Sequence, residues 1–291
     1  MHQAMNHSKA WKDVAFTPIK AVHWGLIHIA FIASFWWMPT LSWQGPVVLA
    51  VMIYLTMCLG VALGQHRGLI HESYQSNRYF QYFLVFLSTL AGLGGPLSMS
   101  RMHSYRDHFQ KQPECPAFFG YGYGIVHSYV MWMFMCYTGL ELPDKHTDKL
   151  AEDRFYVFLN KTAYLYEFVL IGVLFSLGGW EWVWWGSLLR LILCINFFWF
   201  VSYVSHTSGY VTFPMEGHAE SGRNNLLFGY LSFGEAWHNN HHAYPSAATT
   251  SLRWWELDVA YLSLKIFEKM GWVSELKMPE HHREELILEE G

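Results

Sequence analysis

Clustered histidines are the residues of this chain best suited to chemistry. The chain holds 17 His, against 19 Lys and Arg together. Seven of these histidines lie in three short segments, 66–71, 103–108 and 238–242. An eighth, His206, stands alone at the end of an apolar run. Because imidazole is the commonest transition-metal ligand in proteins, this pattern predicts a metal site.

Helix geometry predicts which of these side chains converge, because residues three or four apart share one face of a helix. His238, His241 and His242 would therefore point the same way. His103 would lie beside Asp107, four residues later. Imidazole with some carboxylate favours iron, copper or zinc over calcium or magnesium.

Two histidine pairs are five residues apart, His66 with His71 and His103 with His108. On an α-helix such residues point about 140° away from each other. The first pair would therefore serve two different metals or flank the end of a helix. The second pair would converge only through a local break in its helix.

The composition indicates a membrane protein with a large polar part. Hydrophobic residues make up 52% and charged residues only 14%, where soluble domains are about one quarter charged. The mean hydropathy of +0.11 is low for a chain made only of membrane spans. A net charge of −4 excludes a basic nucleic-acid-binding surface, so no nucleic-acid partner is expected.

Hydropathy predicts four transmembrane helices, at about residues 22–38, 46–63, 163–178 and 182–203. A further apolar run, 79–97, is interrupted by glycines and Pro96, and we expect it not to cross the membrane. Another, 124–139, is short and carries His127. It is expected to be an interfacial or buried helix.

The basic residues predict the orientation. Of the 19 Lys and Arg, all except Arg190 fall on one side of a four-span arrangement, which the positive-inside rule makes cytoplasmic. Both termini and the histidine segments lie on that side. Arg190 itself marks a functional site, or it snorkels or pairs within the bundle.

The predicted fold is therefore an all-α integral membrane protein that forms a single domain over residues 1–291. Its four transmembrane helices would carry a cytoplasmic helical cap with a histidine-rich di-metal site. The cap would span about residues 64–162 and 204–280, followed by a charged tail at 281–291.

Several longer motifs resemble one known family. The first histidine segment reads HRGLIH and is followed by Glu72-Ser73-Tyr74, and a Gly-Arg-Asn-Asn run begins at Gly222. The third segment lies in GEAWHNNHHAYP, residues 234–245, and LRWWELD follows at 252–258. Over roughly residues 60–273 the chain resembles the membrane fatty-acyl desaturases, specifically their Δ9, stearoyl-CoA-type branch.

The resemblance implies an enzyme that introduces a cis double bond into an acyl chain with O2 and two external electrons. It also implies four spans, a cytosolic cap and a non-haem di-iron centre held by nine His and one water-linked Asn. Seven family His positions match this sequence: His66, His71, His103, His206, His238, His241 and His242.

The sequence departs from the family in its second histidine box, normally His-x-x-His-His. Aligned on His103, the last two positions are Arg106 and Asp107, and the family Asn position is Ser202. We predict that Asp107 joins the seven histidines as a metal ligand. His108 and Ser202 are further candidates.

The resemblance also implies partners. The acyl chain would be carried on CoA, acyl-carrier protein or lipid. No electron-transfer module is visible in the sequence, so a separate ferredoxin, rubredoxin or cytochrome would supply the electrons. Two alternatives stay open: an acyl hydroxylase or acetylenase on the same scaffold, and a histidine-rich metal transporter.

Overall fold

The computed structural model describes residues 10–36 and 42–279, and most of them are helical. The predicted charged tail, 281–291, and the last residues of the first predicted span lie outside the described residues. The α-helices, in chain order, are α1 (Pro18–Ser34), α2 (Gln44–Ile53), α3 (Arg78–Thr89), α4 (Pro96–Gln110), α5 (Ile125–Phe134), α6 (Lys145–Leu150), α7 (Arg154–Thr162), α8 (Tyr166–Val183), α9 (Arg190–Thr207), α10 (Leu226–Leu231), α11 (His238–Ala243) and α12 (Val259–Lys269).

Short strands pair distant parts of the chain in two antiparallel ribbons. Strand β1 (Val14–Phe16) pairs with β3 (Met135–Tyr137), and Ala15 lies opposite Cys136. Strand β2 (Gln75–Ser76) pairs with β4 (Val273–Ser274). The second ribbon joins the segment after the first histidine box, residues 66–71, to the segment after α12.

Two helical stretches of the described chain are long and apolar enough to cross a membrane. In the first, Gln44–Ile70, α2 continues without a break into a π-helical segment, Tyr54–Ile70. The second, Arg154–Thr207, runs from α7 to α9 through a short 3-10 turn (Ala163–Leu165) and a π-helical segment (Trp184–Leu189). These stretches indicate association with a membrane.

The second stretch folds back on itself. Its backbone leaves the helical conformation at Gly178 and Gly179, and Gly179 has a φ of 63°, in the left-handed region that favours glycine. Glu167 and Arg190 lie 2.6 Å apart across this reversal, which a straight helix would not allow. The reversal lies where the sequence predicted the turn between the third and fourth spans.

An exposed apolar stripe runs along α1. Val22, Leu26 and Ile29 are 59%, 60% and 64% exposed, and their spacing puts them on one helix face. Helix α8 exposes a similar set, with Phe168 and Val169 mostly uncovered. Such surfaces are costly in water and favourable against lipid.

The interrupted apolar run forms a short helix and a turn. Helix α3 ends at Thr89, the chain turns at Gly92 and Gly94, both with positive φ, and Pro96 begins α4. Trp24 Nε1 donates a hydrogen bond of 2.9 Å to the Gly92 carbonyl.

Arg190 has a structural place in this bundle. Its guanidinium pairs with Glu167 and donates hydrogen bonds to the carbonyls of Gly186 and Leu90. The sequence left three roles open for Arg190: a functional site, snorkelling or pairing within the bundle. In the structure Arg190 pairs within the bundle. Arg190 thus satisfies the Leu90 carbonyl at the turn after α3, because a buried backbone acceptor needs a partner.

Helix α3 packs closely on the π-helical segment Tyr54–Ile70. A Cβ atom at Gly60 would come within 2.5 Å of Ser88 N, and one at Gly64 within 2.5 Å of the Leu84 carbonyl carbon. The two backbones therefore touch at these glycines. The two glycines lie six and two residues before His66, so this contact helps to set the direction in which the first histidine box projects.

A buried ion network joins the first histidine box to later parts of the chain. Arg67 is only 2% exposed, and its Nη1 donates to both carboxylate oxygens of Asp258, at 3.0 and 2.9 Å. Its Nη2 donates to Glu235 Oε1 at 2.9 Å. Asp258 also accepts the Tyr261 N–H at 2.8 Å and so caps α12.

We predict that Asp258→Asn destabilises the fold strongly, because it leaves the buried Arg67 charge with half of its compensation. Breaking a buried pair costs on the order of 3 kcal/mol. The matched control is Asp148→Asn, whose carboxylate is 63% exposed and pairs with Arg101 at the surface. It should cost less than about 1 kcal/mol. Thermal unfolding in detergent measures both, and equal midpoints for the two variants would contradict the prediction.

Candidate metal centre

The seven predicted histidines meet in two adjacent groups. The first, called here the four-His cluster, contains His66, His71, His103 and His241. The second, the three-His cluster, contains His206, His238 and His242. Within each cluster one nitrogen of every ring lies within 4.8 Å of the others. The structure thus gathers residues from four separate segments.

The π-helical segment explains how His66 and His71 reach the same cluster. The His71 N–H donates to the His66 carbonyl at 3.1 Å, a hydrogen bond between residues five apart. This bonding brings residues five apart close together, and the ring centroids lie 4.8 Å from each other. Of the two alternatives from the sequence, flanking a helix end is correct, since His71 directly follows the last residue of the segment.

The ring nitrogens are spaced as ligands of one ion would be. His71 Nε2 lies 3.1 Å from His103 Nε2, and His242 Nε2 lies 3.0 Å from His238 Nε2. Two nitrogens that bind one ion, each at about 2.0–2.1 Å, stand about 3 Å apart. The donor set therefore fits a pair of transition-metal ions in both position and chemistry.

The histidines outside the spans are also held in the neutral form that metal binding requires. Burial lowers the pKa of His71, His103, His238 and His241 well below 6.5, and neighbouring imidazoles lower it further. Burial likewise lowers the pKa of His242 to about 3. These rings offer lone pairs at neutral pH.

Helix α11 supplies ligands to both clusters. His241 belongs to the four-His cluster, whereas His238 and His242 belong to the three-His cluster. The rings of His238 and His241 stack with centroids 5.5 Å apart, so the clusters adjoin. The prediction that all three share one direction is thus correct only in part, because α11 divides them between the two clusters.

A buried asparagine anchors α11. Asn224 has no exposed surface, and its Oδ1 accepts the backbone N–H groups of Asn239 and Asn240 at 3.0 and 3.2 Å. Its Nδ2 donates to Asn240 Oδ1 at 2.7 Å. Asn224 therefore caps the helix from outside and fixes its start.

The two asparagines between the third-box histidines complete this scaffold. Asn239 accepts backbone N–H groups from Thr212 and Phe213, each at 2.7 Å. Asn240 Nδ2 donates at 2.9 Å to the Thr250 carbonyl and to Glu256. Both amides therefore tie α11, which carries three of the histidines, to neighbouring segments of the chain.

A carboxylate positions His66. Glu235 Oε2 lies 2.6 Å from His66 Nδ1, which leaves Nε2 for a metal. Burial would raise the pKa of Glu235, but its contacts with His66 and Arg67 lower it to about 2. The carboxylate is therefore ionised at neutral pH.

Two of the departures from the family pattern contact each other. Arg106 Nη1 donates to Ser202 Oγ at 3.4 Å, and the same hydroxyl lies 2.6 Å from the Tyr121 hydroxyl. Ser202 is thus engaged with these two side chains. Its backbone carbonyl lies 2.8 Å from His206 Nδ1 and orients that ring.

The remaining candidates differ in position. Asp107 Oδ1 lies 3.5 Å from His103 Nε2, beside the four-His cluster. His108 belongs to neither cluster, because α4 continues unbroken through it, and its exposed ring lies against Phe109. Outside the clusters, His28 bonds Trp24 and Asn196, as expected for a packed histidine.

Several residues that build the centre were not predicted. Asn224, Glu235, Asn239 and Asn240 all lie in the motifs that carry the family resemblance, but those motifs assign them no role. The sequence does offer one signal for them. Asparagine and glutamate side chains next to histidines in an apolar chain are expected to be buried, and buried polar groups need hydrogen-bond partners.

Comparison with known proteins is consistent with this geometry. A family model described as fatty acid desaturase matches residues 41–272. The chain is 32% identical to the sn-1 stearoyl-lipid 9-desaturase of Synechocystis sp., over 86% of this chain and 76% of that protein. It is also 32% identical to the sn-2 palmitoyl-lipid 9-desaturase of Nostoc sp., over 87% of each. Identity to the sn-1 stearoyl-lipid 9-desaturase of Anabaena variabilis is 31%, over 87% of this chain and 90% of that protein.

We predict that the metal-free protein loses stability as the pH falls from 7 to 5. The folded state keeps the buried rings neutral, whereas the unfolded chain takes up protons as the pH falls through 6.5. The unfolded state then binds more protons and is favoured, and above pH 7 the effect vanishes. Unfolding midpoints in chelator and detergent measure it. His238→Gln should reduce the loss, and a flat profile between pH 7 and 5 would refute the explanation.

Proposed function

Because the chain belongs to the fatty acid desaturase family, we propose that it is a di-iron Δ9-type desaturase of lipid-linked acyl chains. Family membership makes it an oxidoreductase that acts on fatty acyl chains. In the proposed reaction it places a cis double bond, using O2 and two electrons from a separate donor. The lipid carrier is taken from the names of the three relatives.

The observation that carries the proposal is the pair of adjoining histidine clusters. When bound, two irons would supply the oxygen chemistry that removes hydrogen from an unactivated methylene, for which no side chain is potent enough. The four-His and three-His clusters would hold one ion each. A transporter would instead need ligands along the middle of its spans.

The protein's own part is to keep the ligands neutral and immobile. Glu235 holds His66 through Nδ1, and the Ser202 carbonyl holds His206 through Nδ1. Each ring thereby directs Nε2 into its cluster. Asn224 fixes α11, so the two clusters keep their separation. Such positioning limits the motion of the ligands during turnover.

We further propose that the centre lies at the cytoplasmic face of four transmembrane helices. These would be α1, α2 with its π-helical continuation, α8 and α9. His66 and His206 stand near the ends of the two long apolar stretches, Gln44–Ile70 and Arg154–Thr207. The distribution of Lys and Arg supports the orientation.

Expression in a host without its own desaturase tests the reaction. We expect new monounsaturated chains in the lipid fraction, found by mass spectrometry after feeding labelled saturated fatty acids, and two irons per purified chain. Hydroxylated or acetylenic products would identify the alternative oxidations on this scaffold. Iron flux across vesicles without oxygen-dependent product would contradict the proposal.

Asp107→Ala tests the predicted carboxylate ligand. We expect a loss of bound iron together with activity, because a ligand is removed beside His103. Iron content by mass spectrometry and product yield are measured on the same preparation. Asp148→Ala, at an exposed surface pair, is the matched control and should keep both. Full iron and activity in Asp107→Ala would remove this residue from the ligand set.

A further inference from the structure

The three-His cluster has a neighbour that no motif identifies. Gln110 is the last residue of α4 and has no exposed surface. Its Nε2 donates to the Phe119 carbonyl at 2.8 Å, which fixes the orientation of the amide. Its Oε1 then faces His206 Nε2 at 3.2 Å.

This contact places two hydrogen-bond acceptors against each other. The Ser202 carbonyl can only accept, so His206 Nδ1, at 2.8 Å from it, carries the ring proton. In the neutral ring, Nε2 is then a bare lone pair that faces the lone pairs of Gln110 Oε1. Turning the amide over does not help, because its oxygen would then face the Phe119 carbonyl. A metal cation between the two atoms removes the conflict, as would a second proton on the ring, but burial disfavours the charged ring.

The position of Gln110 on α4 also indicates a ligand. His103, Asp107 and Gln110 follow one another at intervals of four and three residues, so they line one helix face. His103 is at the four-His cluster, and Gln110 is at the three-His cluster. Helix α4 therefore presents a donor to each cluster from positions two helical turns apart.

The three-His cluster needs such a donor. It has one imidazole fewer than its neighbour, and Arg106, which cannot bind a metal, contacts Ser202 beside it. The separation of 3.2 Å between Gln110 Oε1 and His206 Nε2 is close to the value of about 3 Å for two ligands of one ion.

We propose that Gln110 Oε1 is a metal ligand, which completes the three-His cluster as a site of three imidazoles and one amide oxygen. The inference rests on the proposed two-iron function and names a ligand of its second ion. An amide oxygen binds iron less strongly than imidazole does. The second ion is therefore held more weakly than the ion in the four-His cluster.

Anaerobic titration of the full-length protein with Fe(II) tests this. The protein is purified in detergent and stripped with chelator, and bound iron is counted by mass spectrometry and Mössbauer spectroscopy. Wild type should bind two ions in two steps. Gln110→Leu should keep the first step and weaken the second at least about tenfold. Gln112→Leu, an exposed glutamine two residues later, is the control and should titrate like wild type.

A second variant separates a ligand from a structural amide. Gln110→Glu keeps an oxygen donor but loses the N–H that binds Phe119, so a ligand role predicts two bound ions. Loss of the second ion in both Gln110 variants would assign a structural role and overturn the inference. Wild-type affinity in Gln110→Leu would overturn it as well, with the two-iron function intact. Failure of wild type to bind two ions would instead refute the proposed function on which the inference rests.

Discussion

A single buried guanidinium joins the segments that carry the candidate metal ligands. Arg67 follows His66 directly, and its nitrogens bind Glu235 and Asp258, both far downstream in the chain. A charge removed from water is stable only where opposite charges and acceptors surround it. The first box, the third box and α12 therefore cannot separate without leaving that charge unpaired, and this requirement fixes their relative positions.

Much of the helical framework could be predicted because hydropathy is a local property. The apolar stretches became helices, and glycines with Pro96 predicted the interruption after α3. The convergence of His66 with His71 could not be predicted, because no residue type in this segment indicates π-helical hydrogen bonds between residues five apart. The division of the α11 histidines between two clusters also could not be predicted, because it depends on contacts with residues far away in the sequence.

The substituted second box is accommodated by linked changes. Arg106 stands at a family His position, and Ser202 stands at the family Asn position, and the two meet with Tyr121 around one hydroxyl. In the sequence these are two separate losses, one of a His and one of an Asn. In the fold the two replacement side chains belong to the same polar contact. Under the ligand roles proposed for Asp107 and Gln110 on the same helix, the departure changes the type of donor more than the number of donors.

One feature of α11 bears on how a centre of this kind withstands its surroundings. A helix of only six residues carries histidines for both clusters, and buried amides hold it from the side away from them. The distance between the clusters is therefore set by a single turn of backbone. A tilt of the long apolar stretches would move His66 and His206, but it would leave the spacing of His238 and His241 within α11 unchanged. The spacing within α11 is thus a property of local backbone, whereas the positions of His66 and His206 depend on how the two long stretches pack.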